Sequence, residues 1–245
     1  MEGSCRRALE IGLPAIAFTE HADFVEAFEA QRPVDMAGYL DCVERCRAEF
    51  PDLRILTGVE LGEPHWFPHR TAAVLAAGRL DRVLGSVHCL EQDGRPVDMS
   101  QGVLTPERAP LLMRAYLAET LALLESGQPF EVLAHLDYPK RYWPHGSLPF
   151  READYEEEYR AVLRAAAGRE AVLEVNTTRG GEHSRYLCPG PVVLGWWVEE
   201  GGRAVSMGSD AHDPLKIAAG FEAASRLVEA AGFRPASEPT EFWRR

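Results

Sequence analysis

Six short apolar runs recur along the chain, most of them followed by a stretch of helical spacing. They occupy residues 14–21 (PAIAFTEH), 55–63 (ILTGVELGE), 82–90 (RVLGSVHCL), 130–138 (FEVLAHLDY), 171–178 (AVLEVNTT) and 204–212 (AVSMGSDAH). They are rich in Val, Ile and Leu and nearly continuous in hydrophobicity, as parallel strands buried on both faces must be. Residues 41–50, 105–125, 154–167, 191–200 and 214–231 carry helical spacing with polar faces. Within 105–125, Thr105 is placed to cap a helix and Pro106 to open its first turn. This alternation predicts an α/β fold with right-handed crossovers. The 245 residues match the size of one α/β barrel, so a single domain over residues 1–245 is expected. Six strands are nevertheless few for closure, which takes ~8. The helix-like segment 1–11 also stands where a parallel barrel would first place a strand. Either the sheet is open or a first strand is missing from the N-terminal side.

Charge and cysteine usage narrow the function. With 26 basic and 38 acidic residues the formal net charge is −12, which leaves no broad basic face for nucleic acid. No apolar run approaches the ~20 residues that span a bilayer. The N-terminal segment is broken by Glu10 and has no sustained apolar centre, so it does not read as a signal peptide. Cys5, Cys42, Cys46, Cys89 and Cys188 are odd in number and show no C-x-x-C spacing. They are expected to be reduced, mostly buried thiols in a cytoplasmic protein that binds neither nucleic acid nor membrane.

The chemistry gathers at the ends of the apolar runs. The first ends in Thr19-Glu20-His21 with Asp23 just after, and the second carries Glu60, with Glu63 and His65 beyond. The third reaches His88, the fourth His135 and Asp137, the fifth Glu174 and Asn176, and the last Asp210 and His212. C-terminal strand ends share one face of a parallel α/β sheet, so these distant residues should converge. A lone histidine at a strand end is most often a hydrogen-bonded structural residue. Four of the eight histidines ending four different runs, with Glu60 and Asp210 beside them, are another matter. Burying so many carboxylates and imidazoles together is costly unless cations compensate. Imidazole and carboxylate suit Zn, Mn or Fe, and the set exceeds what one tetrahedral ion requires. At least two divalent ions are therefore expected. Such a cluster suits hydrolysis, and phosphate esters are natural substrates because metal charge offsets the phosphoryl group. Lys140, Arg141, Arg179 and Arg185 could complete a phosphate pocket. His65 and His69 stand four apart in EPHWFPHR, but Pro64 and Pro68 oppose a helix there, so a loop is expected.

With these residues assembled, the chain resembles the PHP (polymerase and histidinol phosphatase) superfamily, and its histidinol-phosphatase branch in particular. The stretches that carry the resemblance are EIGLPAIAFTEHADF (10–24), GVELGE (58–63), GSVH (85–88), AHLDYPKRY (134–142), EVNTT (174–178) and GSDAH (208–212), in family order. The resemblance implies a distorted (β/α)7 TIM-like barrel holding two or three divalent metals (Mn, Fe or Zn). It also implies hydrolysis of a small phosphorylated substrate, L-histidinol phosphate, to L-histidinol and phosphate in histidine biosynthesis. By position, His21, Glu60, His88, His135, Asp210 and His212 would be metal ligands, with Glu60 bridging. Glu60, Asp210 and His212 would be catalytic, and Arg141, Arg179 and Arg185 would bind phosphate. The family opens on an H-x-H motif in its first strand, and none precedes segment 1–11 here. The expectation is that the chain starts at an internal methionine or is truncated, and so binds fewer metals, folds less well and turns over poorly. The alternatives are a related phosphoesterase with another small phosphorylated substrate and a catalytically impaired metal-binding domain.

Overall fold

Each of the six apolar runs supplies a strand of one sheet. The structure is a computed structural model describing residues 1–26, 35–178 and 187–245. In chain order its strands begin with β1 (Ala15–Asp23), β2 (Arg54–Gly62) and β3 (Arg82–Ser86). A hairpin of β4 (Cys89–Gln92) and β5 (Arg95–Asp98) follows, then β6 (Val132–Leu133), β7 (Val172–Asn176), β8 (Ala204–Gly208) and β9 (Trp243–Arg244). The main sheet has seven strands in the order β1-β2-β3-β6-β7-β8-β9 and curls into a half-barrel. Neighbours are parallel up to β8, whereas β9 pairs with it antiparallel. The seventh strand is thus a two-residue piece from the C-terminal end.

The helices are α1 (Glu2–Glu10), α2 (Met36–Glu49), α3 (Pro68–Leu75), α4 (Ala109–Glu125), α5 (Glu156–Gly168), α6 (Pro191–Glu199) and α7 (Phe221–Ala230). One apolar core joins α4, α5 and α6 to the sheet through Met113, Leu117, Leu163, Trp197, Leu173 and Val205. A second joins α1 and α2 to β2 through Cys5, Ala8, Val43, Cys46, Val59 and Leu61. All five cysteines are free thiols and four are buried. Among the described residues no helix is long and apolar enough to cross a membrane.

Several element boundaries differ from expectation, each for a local reason. Helix α4 begins at Ala109 rather than near Thr105, whose carbonyl instead accepts the Arg108 and Ala109 N–H groups in a turn. Pro110 has no N–H for an interior helical bond, so the helix starts late enough to hold it in the first turn. Proline also acts as a starter at Pro68, which opens α3 in a stretch expected to be loop. The segment 214–231 splits into a short 3-10 turn and α7 because Ile217 takes an extended ψ of 131°. Helix α2 starts earlier than expected, at Met36, where the Asp35 carboxylate accepts the Gly38 N–H at 3.0 Å. Strand β6 is short because His135 enters the left-handed region at φ 25°, turning the chain out of the ladder at the site.

Candidate metal centre

Parallel register sets the site. His21 on β1 lies directly across from Glu60 on β2, and His88, His135 and Asp210 follow β3, β6 and β8 at the same end of the sheet. Glu60 sits at the middle. Its Oε1 lies 2.7 Å from His135 Nε2 and 3.1 Å from His88 Nε2, and those two nitrogens are 3.3 Å apart. His21 Nε2 lies 3.9 Å from Glu60 Oε2. On the other flank, His212 Nε2 is 3.2 Å from Asp210 Oδ1, and the His21 and His212 ring centroids are 5.5 Å apart. Glu60, His88 and His135 are buried, whereas the His212 side chain is 56% exposed at the mouth.

The structure therefore brings together His21, Glu60, His88, His135, Asp210 and His212. Two groups place one donor atom from each residue within 4.8 Å of the others: His21, Glu60 and His88, and His21, Asp210 and His212. The donor chemistry fits cations. Asp23 contacts the Nδ1 atoms of both His21 and His88, and a neutral imidazole has only one hydrogen. With that hydrogen on Nδ1, bare Nε2 atoms face carboxylate oxygens, an arrangement that a proton or a metal ion must bridge. Charge in the protein follows the same logic. The Glu60 carboxylate raises the His21 imidazole to about 9. Burial would raise the Glu60 carboxyl, but His21 and His135 together hold it well below the carboxylate range. Burial lowers His135. Among the described residues both groups offer only imidazole nitrogen and carboxylate oxygen, a donor set that zinc accepts.

Arg141, on the 3-10 turn Tyr138–Tyr142, is the one candidate phosphate-binding residue that reaches the cluster among the described residues. Its side chain is buried, stacked over the Tyr138 ring, with Nη2 2.9 Å from Asp210 Oδ2. That approach lacks hydrogen-bond alignment, and both Nε and Nη2 have no acceptor. Guanidinium N–H groups match the oxygens of carboxylates and phosphates, and here two of them lie unaligned beside the candidate ligands. Lys140 does not join it. Its side chain is 3% exposed and its ammonium lies 3.0 Å from Asp137 Oδ2 and 2.8 Å from the Leu187 carbonyl, because the adjacent buried carboxylate captures it. Arg179 and Arg185 lie outside the described residues. His65 is not paired with His69; its Nε2 lies 2.6 Å from Glu119 Oε1, which also accepts the Trp66 indole N–H.

Two supporting carboxylates could not be assigned from sequence alone. Glu174 Oε2 accepts the His135 backbone N–H at 2.8 Å, and burial pushes this carboxyl up to about 7. Gly208 makes room for it, since a Cβ there would overlap Glu174 Oε1. Glu63 Oε1 accepts the His88 and Cys89 N–H groups, and burial likewise raises it to about 7. For Glu174 the signal available in the sequence was the glycine two residues before a candidate ligand, Gly208-x-Asp210; Glu63 had no such marker.

Comparison with known proteins identifies the family and the fold. The PHP domain model matches residues 1–178. A histidinol-phosphatase of Lactococcus lactis is 27% identical over 228 residues, covering 92% of this chain and 83% of that protein. A Clostridium acetobutylicum protein named "probable histidinol-phosphatase" is 28% identical over 227 residues, covering 90% and 83% respectively. In structure, the chain superposes on the L. lactis histidinol phosphate phosphatase solved with zinc, L-histidinol and phosphate. That match has a TM-score of 0.77 at 25% identity, over 98% of this chain and 91% of the other.

Proposed function

This chain belongs to the PHP domain family, and from that premise we propose that it is a metal-dependent phosphatase that hydrolyses L-histidinol phosphate to L-histidinol and phosphate. The observation that carries the reading is the buried, anion-ready guanidinium of Arg141 set against a cluster of imidazoles and carboxylates. Two cation positions are available: Glu60, His88 and His135 would hold one and Asp210 and His212 the other, with the single free nitrogen of His21 completing one of the two. Divalent ions, zinc among them, supply charge neutralisation and a hydrolytic water at neutral pH when bound.

The chain's own groups do the rest. Arg141 binds and orients phosphate oxygens, its idle Nε and Nη2 donors giving direction as well as charge. Asp210 is kept ionised: burial would raise it, but His212 and Arg141 hold it below the carboxylate range. Asn176 and Thr178 approach the same oxygen, Asp210 Oδ2, at 3.4 and 3.1 Å and fix its orientation. In the reaction the oxygen of water bonds to phosphorus, the ester P–O bond breaks, and the departing alkoxide takes up a proton. Phosphate release from L-histidinol phosphate with added Zn²⁺ or Mn²⁺ tests the reading. Asp210→Ala or His135→Ala should abolish release with the fold retained. Arg141→Ala should raise KM for substrate and weaken competition by inorganic phosphate. Wild-type KM in Arg141→Ala, or full activity in His135→Ala, would remove the assignment.

A further inference from the structure

Asp23 closes β1, and its carboxylate touches two candidate ligands at once. Its Oδ2 lies 3.1 Å from His21 Nδ1 and its Oδ1 lies 2.9 Å from His88 Nδ1. The two rings come from different strand ends and stand 5.7 Å apart, so Asp23 is the link between them. The space it occupies is provided by its register partner. Asp23 pairs directly with Gly62 on β2, where a Cβ would overlap Asp23 Oδ1 and lie 3.4 Å from His88 Nδ1. Any larger residue at 62 would displace the carboxylate from between the rings.

We propose that Asp23 is a positioning residue that holds His21 and His88 as Nδ1–H tautomers, so that both rings turn a bare Nε2 toward Glu60. This inference rests on the metal-centre reading above. A carboxylate only accepts hydrogen bonds, and an imidazole that donates its single hydrogen from Nδ1 keeps Nε2 as a lone-pair donor. His88 Nε2 then faces Glu60 Oε1 at 3.1 Å and His21 Nε2 faces Oε2 at 3.9 Å. Carboxylates of this kind orient metal-binding histidines, and losing one typically costs ~10–100-fold in metal affinity. Asp23 serves two rings together, so its loss frees both. His135 is supported differently: its Nδ1 has no partner, and Glu174 holds its backbone. An amide at position 23 would offer one acceptor and one donor, and could satisfy only one ring.

The test uses Zn²⁺ and the whole chain, with no substrate. Long-range ¹H–¹⁵N spectra of the zinc-loaded protein should show both His21 and His88 protonated at Nδ1. Competition with a chromophoric chelator should show zinc affinity lowered ~10–100-fold in Asp23→Asn. Gly62→Ala should lower it comparably, and should add nothing to Asp23→Ala, because the displaced group is then absent. Both rings protonated at Nε2 in the wild type would overturn the proposal, a measurement that needs no variant to fold. Wild-type zinc affinity in folded Asp23→Asn would overturn it too, as would additive losses in the double variant. These readouts are independent of turnover. Nδ1–H tautomers and coupled zinc losses without phosphate release would support the role of Asp23 while contradicting the phosphatase reading.

Discussion

Replacing Gly208 with alanine should strike the site from behind without touching a candidate ligand. Gly208 pairs with Asn176 across β7 and β8, and a Cβ there would overlap Glu174 Oε1. Backbone on both sides is fixed by the ladder, so the Glu174 side chain must move. Its Oε2 would then leave the His135 N–H at 2.8 Å and the Asn176 amide at 3.3 Å. A buried N–H left without an acceptor costs about 1–3 kcal/mol. Forcing a side chain off its rotamer adds about 0.5–1.5 kcal/mol. The expected loss is therefore about 1.5–4.5 kcal/mol, and it falls on a residue already held at φ 25°. Equilibrium urea unfolding followed by tryptophan fluorescence reads this directly. With a slope near ~2 kcal/mol/M, the midpoint should fall by about 1–2 M. Glu174→Gln keeps an acceptor of the same shape and should cost under about 1 kcal/mol. The double variant Gly208→Ala/Glu174→Ala should be no less stable than Glu174→Ala alone, because the overlap has been removed. A midpoint unchanged by Gly208→Ala, or fully additive losses in the double variant, would refute the reasoning.

Two further outcomes follow from charges outside the cluster. Asp81 Oδ2 accepts the Thr57 N–H and hydroxyl at 3.0 Å each and lies 3.2 Å from Arg47 Nη2. Burial would raise this carboxyl, but those three donors hold it below the usual range. The stabilisation is complete above the unfolded value near ~3.9 and fades as pH falls through the lower folded value. Asp81→Asn should therefore cost about 1–2 kcal/mol at neutral pH, with the gap to wild type narrowing as pH falls below the unfolded carboxylate value of ~3.9, as read by unfolding curves across pH. Lys140→Met should cost about 3–5 kcal/mol by strong destabilisation of Asp137, whose carboxylate would be left buried and unpaired. Adding Asp137→Leu should restore part of that loss in thermal unfolding, because the uncompensated charge is then gone.

The architecture was legible because buried parallel strands have one signature, a short continuous apolar run, and all six such runs form strands of the sheet. Convergence of the polar tips was legible for the same reason, since parallel strands end on one side. Helix starts were less so. Pro68 and Pro110 each open a helix, and proline punctuates a helix start as readily as it breaks an interior. The hairpin β4–β5 was hidden inside a run that continues apolar past His88 through Cys89 and Leu90. Direction was also hidden. Lys140 and Arg141 are adjacent and both basic, but a short 3-10 turn sends one toward Asp137 and the other toward Asp210. The double contact of Asp23 depends on strand register, which pairs it with Gly62 and which no single run encodes.

The most direct test of the whole account is the substrate profile of the zinc-loaded protein. Phosphate release should be metal-dependent, lost on chelation and restored by Zn²⁺. The kcat/KM for L-histidinol phosphate should exceed that for glycerol phosphate by at least ~100-fold. No release of phosphate from L-histidinol phosphate by protein with zinc bound, or equal rates with and without chelator, would contradict it.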